Sequence, residues 1–369
     1  MPSRRGKQTP RLTHRTDALN VAGRMTRPIA YVMEQTLGSI THYLNLRKEE
    51  AALDGEHPRW LPIEYRQERV PWTINGGLAA RRAVRSVLGE VDGVFIHTNV
   101  LAMLSVDLFR RVPTIISTDG TPYNKREMRL AYDLKPEGPL AGFAKRSLYK
   151  GVFSQARAFV AWSSWAARSF VEDYGCAEND VRVIPPGIDP QDFAPGDRSH
   201  ELPRILFVGG DFKRKGGDML LDVFRKRLRG RAELVLVTKE KLGSEPGVSV
   251  HNNVVANSPT LRNLYATSDI FALPTRADCY PLVCMETLAA GMPLVATRVG
   301  GIPDLVREGE TGHLLQIDDA AALGDALEAL VANPSRRAAM GAAARAYAQQ
   351  RFDARTNAKA LFEFVRSRC

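Results

Sequence analysis

No apolar run in this 369-residue chain approaches the ~20 residues of a membrane-spanning helix. No apolar stretch follows the arginine-rich N-terminus either, so a secretory leader is not expected. Cysteine is scarce. The four present, Cys176, Cys279, Cys284 and Cys369, lack the paired spacing of a metal site. They read as free or buried thiols of a reducing compartment, and the expected location is the cytoplasm. Zinc-finger spacing, an RNP-type aromatic motif and a heptad-backed basic region are all missing, so no nucleic-acid partner is expected. There is no Asp-x-Asp clamp for a divalent cation, and no G-x-G-x-x-G turn after the first strand. Low-complexity tracts and short repeats are lacking as well.

What is present is ordinary globular composition with a basic bias. Apolar residues make up 44% and charged residues 25%, which argues against disorder. The formal charge of +10 suits phosphorylated substrates or an anionic membrane surface. Part of it lies early, in Arg4, Arg5, Lys7, Arg11, Arg15, Arg24 and Arg27. With few apolar residues among them, residues 1–26 are expected to form a mobile basic tail. Peripheral contact with the inner face of an anionic membrane is a further role open to it.

Beyond the tail, short β-branched runs alternate with helical patterns. Strands are expected at Ile29–Glu34, Trp60–Tyr65, Val94–Thr98, Thr114–Thr118, Phe159–Ser163 and Val181–Ile184. Helices such as Leu78–Leu88 and Trp165–Tyr174 lie between them. Pro185-Pro186-Gly187, with Pro190, Pro195 and Gly196 beyond, reads as a linker. The pattern restarts at Arg204–Val208, with strands expected near Glu233–Thr238, Ile270–Pro274, Leu294–Thr297 and His313–Leu315. Helices are expected at Asp218–Leu228, Pro259–Ala266, Leu282–Ala290, Ala320–Ala332 and Arg336–Gln350. The reading is α/β, with two Rossmann-like doubly wound domains over 27–187 and 188–350. A last helix follows in 351–369. Ligands of such sheets bind beyond the carboxyl ends of the strands, so two facing domains enclose a central cleft.

One stretch is most informative: Pro274-Thr-Arg-Ala-Asp-Cys-Tyr-Pro-Leu-Val-Cys-Met-Glu286. Asp278 lies in the loop after a strand. Glu286 lies on the following helix, after seven intervening residues. Pro281 suits the start of that helix, and the N–H groups of Leu282 and Val283 are left free to meet a phosphate. A carboxylate one turn further can accept hydrogen bonds from ribose hydroxyls. A second loop, Val208-Gly-Gly-Asp-Phe-Lys-Arg-Lys-Gly-Gly217, also follows a strand and opens a helix. Gly209 permits close backbone approach, and Lys213, Arg214 and Lys215 can neutralise a diphosphate without a metal.

These segments resemble glycosyltransferase family 4. The first resembles its Glu-x7-Glu motif, with Asp278 in the first acidic position. The continuation through Gly300-Gly-Ile-Pro-Asp304 and Gly309-Glu-Thr-Gly312 is similar too. So is Ala161-Trp-Ser-Ser-Trp-Ala-Ala-Arg-Ser-Phe170, leading into Val183-Ile-Pro-Pro-Gly-Ile-Asp189. The resemblance implies a GT-B fold with a shared donor half and a variable acceptor half. It implies that Asp278 sits by the donor sugar and Glu286 holds the ribose, with Tyr280, Leu282 and Val283 lining the donor between them. Lys215 matches the family's lysine, whereas Gly210 stands where the family has arginine; Lys213 or Arg214 is the expected substitute for that charge. Gly38, after the first strand and before a helix, resembles the glycine of the family's first loop. Where members often carry a histidine near the reacting sugar, this chain offers Asp119, beside Thr118 and Thr121. Asp119 is either a sugar-hydroxyl ligand or part of an Asx turn. His97 reads as a packed histidine.

The activity so implied is retaining transfer of a sugar from a nucleotide-diphosphate sugar, with neither metal nor cofactor. The acceptor is a glycan, a lipid-linked glycan or a small molecule. The family's last helix usually returns to the first domain, and 351–369 is expected to do the same. Three other readings stand beside this one: a GT-B sugar-nucleotide epimerase, a catalytically silent binding protein, and a nicotinamide-dependent oxidoreductase.

Overall fold

In a computed structural model, residues 27–52, 57–65, 72–132 and 135–369 are described. The expected basic tail, 1–26, lies outside them. Strands β1 (Ile29–Glu34), β2 (Arg59–Ile63), β3 (Gly93–His97), β4 (Thr114–Thr118), β5 (Ala158–Ala161) and β6 (Val181–Val183) form one parallel sheet in the order β2-β1-β3-β4-β5-β6. Strands β7 (Arg204–Val208), β8 (Glu233–Val237), β9 (Val248–His251), β10 (Ile270–Leu273), β11 (Leu294–Thr297) and β12 (Gly312–Leu315) form a second, in the order β12-β11-β10-β7-β8-β9. Central strands such as β1 and β10 are buried along their whole length. That is why they read as unbroken apolar runs rather than alternating ones.

Besides short helical turns such as Asn99–Ala102 and Val106–Phe109, the sequence reading left out a strand and a long helix. Strand β9 is only four residues of half-polar sequence at a sheet edge. The helix Pro139–Phe153 buries only Tyr149, Val152 and Phe153 near its end, so its apolar residues show no single inward stripe. The expected helix Asp218–Leu228 is α-helical over Gly217–Val223 and then widens into a π-helical turn, Phe224–Leu228.

Each sheet switches direction once. The chain builds outward from β1 to β2 and restarts at β3 on the other side of β1. In the second sheet it builds from β7 to β9 and restarts at β10 beside β7. Crevices form at such switch points, beyond the carboxyl ends of the strands. The helix Ala354–Ser367 lies against the first sheet through Ala358, Leu361, Phe362 and Val365. Its Phe362 ring meets Tyr31 edge-on, with centroids 5.4 Å apart. The two crossings between the domains pair with each other, Ile188 N donating to Phe352 O (2.8 Å) and Ala354 N to Ile188 O (2.9 Å). Among the described residues no helix is long and apolar enough to cross a membrane.

Candidate active site

The switch point of the second sheet places the loop after β7 beside the loop after β10. Arg276 N donates to Arg214 O (2.8 Å), and the Thr275 hydroxyl donates to the same carbonyl (3.2 Å). Lys215 crosses Gly209 so closely that a Cβ there would lie 2.9 Å from its own Cβ. Only glycine admits that approach. The Lys215 ammonium is ion-paired with Asp278, and both side chains are largely buried. Behind Asp278, Gly300 has φ +59°, and a Cβ on it would fall 2.0 Å from the Asp278 carbonyl oxygen. Gly301 N then donates to Cys279 O (2.7 Å), fixing the loop that carries Asp278.

The helix Leu282–Ala289 starts from an extended Pro281. The N–H groups of Leu282 and Val283 have no acceptor within the helix. Opposite stands Gly38, and here the structure corrects the sequence reading. Gly38 is not in a loop before a helix but in the first turn of the helix Leu37–Lys48. The chain turns into helix directly after β1, with Thr36 extended at its start and the Ser39 N–H bonded to the Thr36 carbonyl. A Cβ on Gly38 would lie 3.8 Å from Leu282 Cδ1. The first turns of two helices, one from each domain, therefore meet across the cleft. Each carries roughly half a positive charge, and the Lys215 ammonium, paired with Asp278, stands nearby.

Glu286 sits one turn into its helix, buried, with Oε2 lacking any hydrogen-bond partner. The buried Tyr265 hydroxyl faces it without reaching hydrogen-bond geometry. Burial pushes the Glu286 carboxyl up to about 7, against the smaller opposing pull of Tyr265 and Arg262. An orphaned buried carboxylate oxygen is costly, and hydroxyl donors of a ligand would satisfy it.

On the facing wall, Asp119 follows β4 and pairs with Lys125 at 2.9 Å. The turn there is made by Thr118, whose hydroxyl accepts from Gly120 N (3.2 Å), so Asp119 is not spent on an Asx turn. Burial lowers Lys125, but Asp119 together with Cys279 and Tyr132 outweighs it and holds the ammonium above its ordinary value. A Cβ on Gly120 would come within 3.3 Å of Cys279 Sγ, so this wall borders the Asp278 loop. Glu34, at the end of β1, is buried and accepts from the hydroxyls of Thr36 (2.8 Å), Thr98 (2.6 Å) and Tyr65. His97 stacks on Trp162 at 4.9 Å, and burial pushes its ring down to about 3, leaving it neutral.

Several residues read from the sequence stand elsewhere. Arg214 is a brace: it donates to Ala277 O (2.7 Å) and Asp211 (2.9 Å) and covers the Tyr132 ring at 4.5 Å. Lys213 is exposed, and its carbonyl accepts from Arg276. Tyr280 does not line the open cleft; its ring is buried at the domain junction, 6.2 Å from Trp162. Asp304 closes the same junction, accepting from Ser164 N (2.5 Å) and the Ser164 hydroxyl (2.7 Å).

The sequence reading missed Glu34, Lys125 and Lys239. Lys239 follows β8, and its stem runs past Gly210, where a Cβ would lie 3.6 Å from Lys239 Cε. It makes no ion pair among the described residues. Glu34 and Lys239 stand at or just beyond the carboxyl ends of strands, which is the signal that could have found them; Lys125 lies further on, in the short helix Asn124–Arg126, and no such signal marks it. Among the described residues no three His, Cys, Asp or Glu side chains group as metal ligands.

Residues 42–192 match the family model described as Glycosyltransferase Family 4, and residues 202–333 match that described as Glycosyl transferases group 1. Similar proteins include the D-inositol 3-phosphate glycosyltransferase of Nocardia farcinica, 33% identical over 54% of this chain and 50% of its own length. Another is the GDP-mannose-dependent alpha-(1-6)-phosphatidylinositol monomannoside mannosyltransferase of Mycolicibacterium smegmatis, 32% identical over 50% of this chain and 56% of its own length. The matches thus span about half the length of these relatives. Anabaena HepE, solved in complex with UDP, superposes with a TM-score of 0.72 at 16% identity, covering 92% of this chain and 100% of that one. Sucrose-phosphate synthase from Thermosynechococcus elongatus gives 0.70 at 17% identity, over 92% of this chain and 98% of that one. These two share the GT-B fold. With one family model matched in each half and two doubly wound domains facing a cleft, the chain belongs to glycosyltransferase family 4.

Proposed function

We propose that this protein is a retaining glycosyltransferase that takes a sugar from a nucleotide-diphosphate donor without a metal. The observation that carries the reading is the meeting of two helix N-termini at Gly38 and Leu282, beside Lys215. That geometry suits a diphosphate held across the cleft. As the bond to the sugar breaks, the sugar becomes oxocarbenium-like and negative charge grows on the diphosphate. Lys215 and the free N–H groups of Leu282 and Val283 meet that charge already oriented. Asp278, held by Lys215, faces the donor sugar, and Glu286 accepts the ribose hydroxyls. Asp119 and Lys125 border the acceptor. His97 is neutral, stacked and buried, so the proton of the acceptor hydroxyl goes to the leaving phosphate oxygen on the same face.

The test is a panel of nucleotide-diphosphate sugars, read by thermal shift and by donor hydrolysis, with excess chelator throughout. A ligand at a hundred times its dissociation constant adds ~2.7 kcal/mol of stability. One donor is expected to stabilise and turn over in chelator. Activity restored only by magnesium or manganese would refute metal independence, and no stabilisation by any donor would refute the reading itself.

Lys239 supplies the cation that Gly210 lacks. Lys239→Ala is expected to weaken nucleotide-diphosphate binding by roughly ten- to hundredfold, the loss of one charged hydrogen bond. The atoms nearest to a Cβ on Gly210 are those of the Lys239 stem, from 3.6 Å outward, an ordinary contact distance. Gly210→Arg added to Lys239→Ala should therefore restore affinity. Unchanged affinity in Lys239→Ala, measured by calorimetry, would remove Lys239 from the donor site.

A further inference from the structure

The helix Pro139–Phe153 buries Tyr149, Val152 and Phe153. At about 100° per residue, the face opposite these carries Leu140, Phe143, Ser147 and Gly151. It points to solvent and is apolar where a solvent face is ordinarily polar. Leu140 is 86% exposed, Phe143 72% and Leu148 51%, and Leu130 on the preceding loop is 71% exposed. The charges beside them are mostly positive. The helix holds Lys145, Arg146 and Lys150 and no acidic residue. The Tyr123 ring gathers two guanidinium groups, Arg126 at 4.6 Å and Arg146 at 5.0 Å. Neither arginine pairs with a carboxylate among the described residues. Glu137 is shared by Arg129 (3.0 Å) and Lys145 (2.6 Å), one anion for two cations.

We propose that this face docks on an anionic lipid bilayer and that the acceptor is carried by that bilayer. The first part stands on the surface alone; the second rests on the glycosyltransferase reading. An interfacial helix seats its apolar side chains at the acyl boundary and sets its cations against the headgroups. Exposed Leu140 and Phe143 with Arg126, Arg146 and Lys150 alongside provide both parts. A second copy of the chain fits the surface poorly. A two-fold contact would set the same uncompensated cations against their own images. The patch also reaches the cleft. Met128, two residues before Leu130, packs with Ala277 and Cys279, and Tyr132, two residues after it, lies under Arg214. A lipid-borne acceptor drawn from the surface would thus enter beside Asp119 and Asp278.

Co-sedimentation of the full chain with vesicles tests the proposal. Phosphatidylcholine vesicles are compared with phosphatidylcholine mixed with phosphatidylglycerol. Binding is expected only to the mixed vesicles and should fall as salt rises. Lys150→Ala should weaken it about fivefold, the contribution of one basic residue near an anionic surface. Leu140→Glu with Phe143→Glu should lower it by on the order of tenfold or more, since both apolar contacts become like-charged with the lipid. Both variants should keep the thermal shift given by the nucleotide diphosphate, which shows them folded. Undiminished binding of the Leu140→Glu/Phe143→Glu variant would overturn the proposal, because attachment would then lie elsewhere, as in residues 1–26. So would a wild-type chain that ignores the mixed vesicles, or one that forms a lipid-free dimer broken by that variant. Mixed-vesicle binding without turnover of any nucleotide sugar would support the docking face and overturn the glycosyltransferase reading, so the two fail separately.

Discussion

Lys215→Ala is expected to lower sugar transfer by ~10²–10³-fold, the effect of removing one preorganised donor from a developing negative charge. Lys215 is fixed before any substrate arrives: Gly209 lets its stem pass, and Asp278 holds its ammonium. The charge it meets is greatest as the diphosphate leaves, so kcat and kcat/KM should fall together while KM changes little. The ion pair complicates a single substitution. Lys215→Ala leaves Asp278 largely buried beside no cation, and that alone can disturb the loop. Lys215→Ala combined with Asp278→Asn removes the orphaned charge. The double variant should remain as slow as the single one, because the two residues act as a unit. Recovery of most of the activity in the double variant would show that Lys215 serves only to neutralise Asp278. Near-normal turnover in Lys215→Ala itself would remove it from the chemistry.

Glu286→Gln should stabilise the free protein and weaken the donor complex, opposite effects of one atom change. Burial raises the carboxyl from 4.5 to about 7. The folded state then holds this proton more tightly than the unfolded chain does. Stability from this group is present at low pH, falls as pH rises from 4.5 towards 7, and stays lost above. The deficit reaches at most about 3 kcal/mol, at 1.36 kcal/mol for each pH unit. Glutamine cannot ionise, so the variant should melt higher than wild type at pH 8 and about the same at pH 4. Binding should move the other way. Ribose hydroxyls donate to the carboxylate, whereas an amide offers one acceptor and an N–H, so nucleotide affinity should drop about ten- to hundredfold. In the wild type those donors favour the charged form. Nucleotide binding should therefore release a proton near pH 7, and affinity should rise with pH across that range. Calorimetry in buffers of different ionisation enthalpy reads the proton directly. An unchanged melting profile together with unchanged affinity would place the ribose elsewhere.

The sequence by itself determined the architecture and put the loops after β7 and β10 at the carboxyl ends of their strands. Strands β1, β4, β7 and β11 lie where the β-branched runs put them. Buried parallel strands must be apolar throughout, and the loops between them must break that pattern. Ser258 caps the helix Pro259–Ala266, its hydroxyl accepting from Leu261 N at 3.2 Å, because capping is local chemistry that a dipeptide reveals. The Asp278–Glu286 spacing likewise fixed which helix opens toward the cleft.

Tertiary structure alone decided what each charge is for. Lys213, Arg214 and Lys215 are consecutive and chemically alike, yet only Lys215 reaches Asp278, while Arg214 braces Ala277 and Tyr132. Side chains diverge within one turn of backbone, and a run of cations does not say where each one points. Lys239 is remote in sequence from Gly210 and lies beside it because β7 and β8 pair. Lys125 gains Asp119 from a turn whose shape Thr118 sets. The apolar outer face of Pro139–Phe153 escaped notice because exposure is a property of what packs around a helix, not of its letters. Pairing, partnership and exposure all depend on residues distant in the chain, and folding is what brings those residues together.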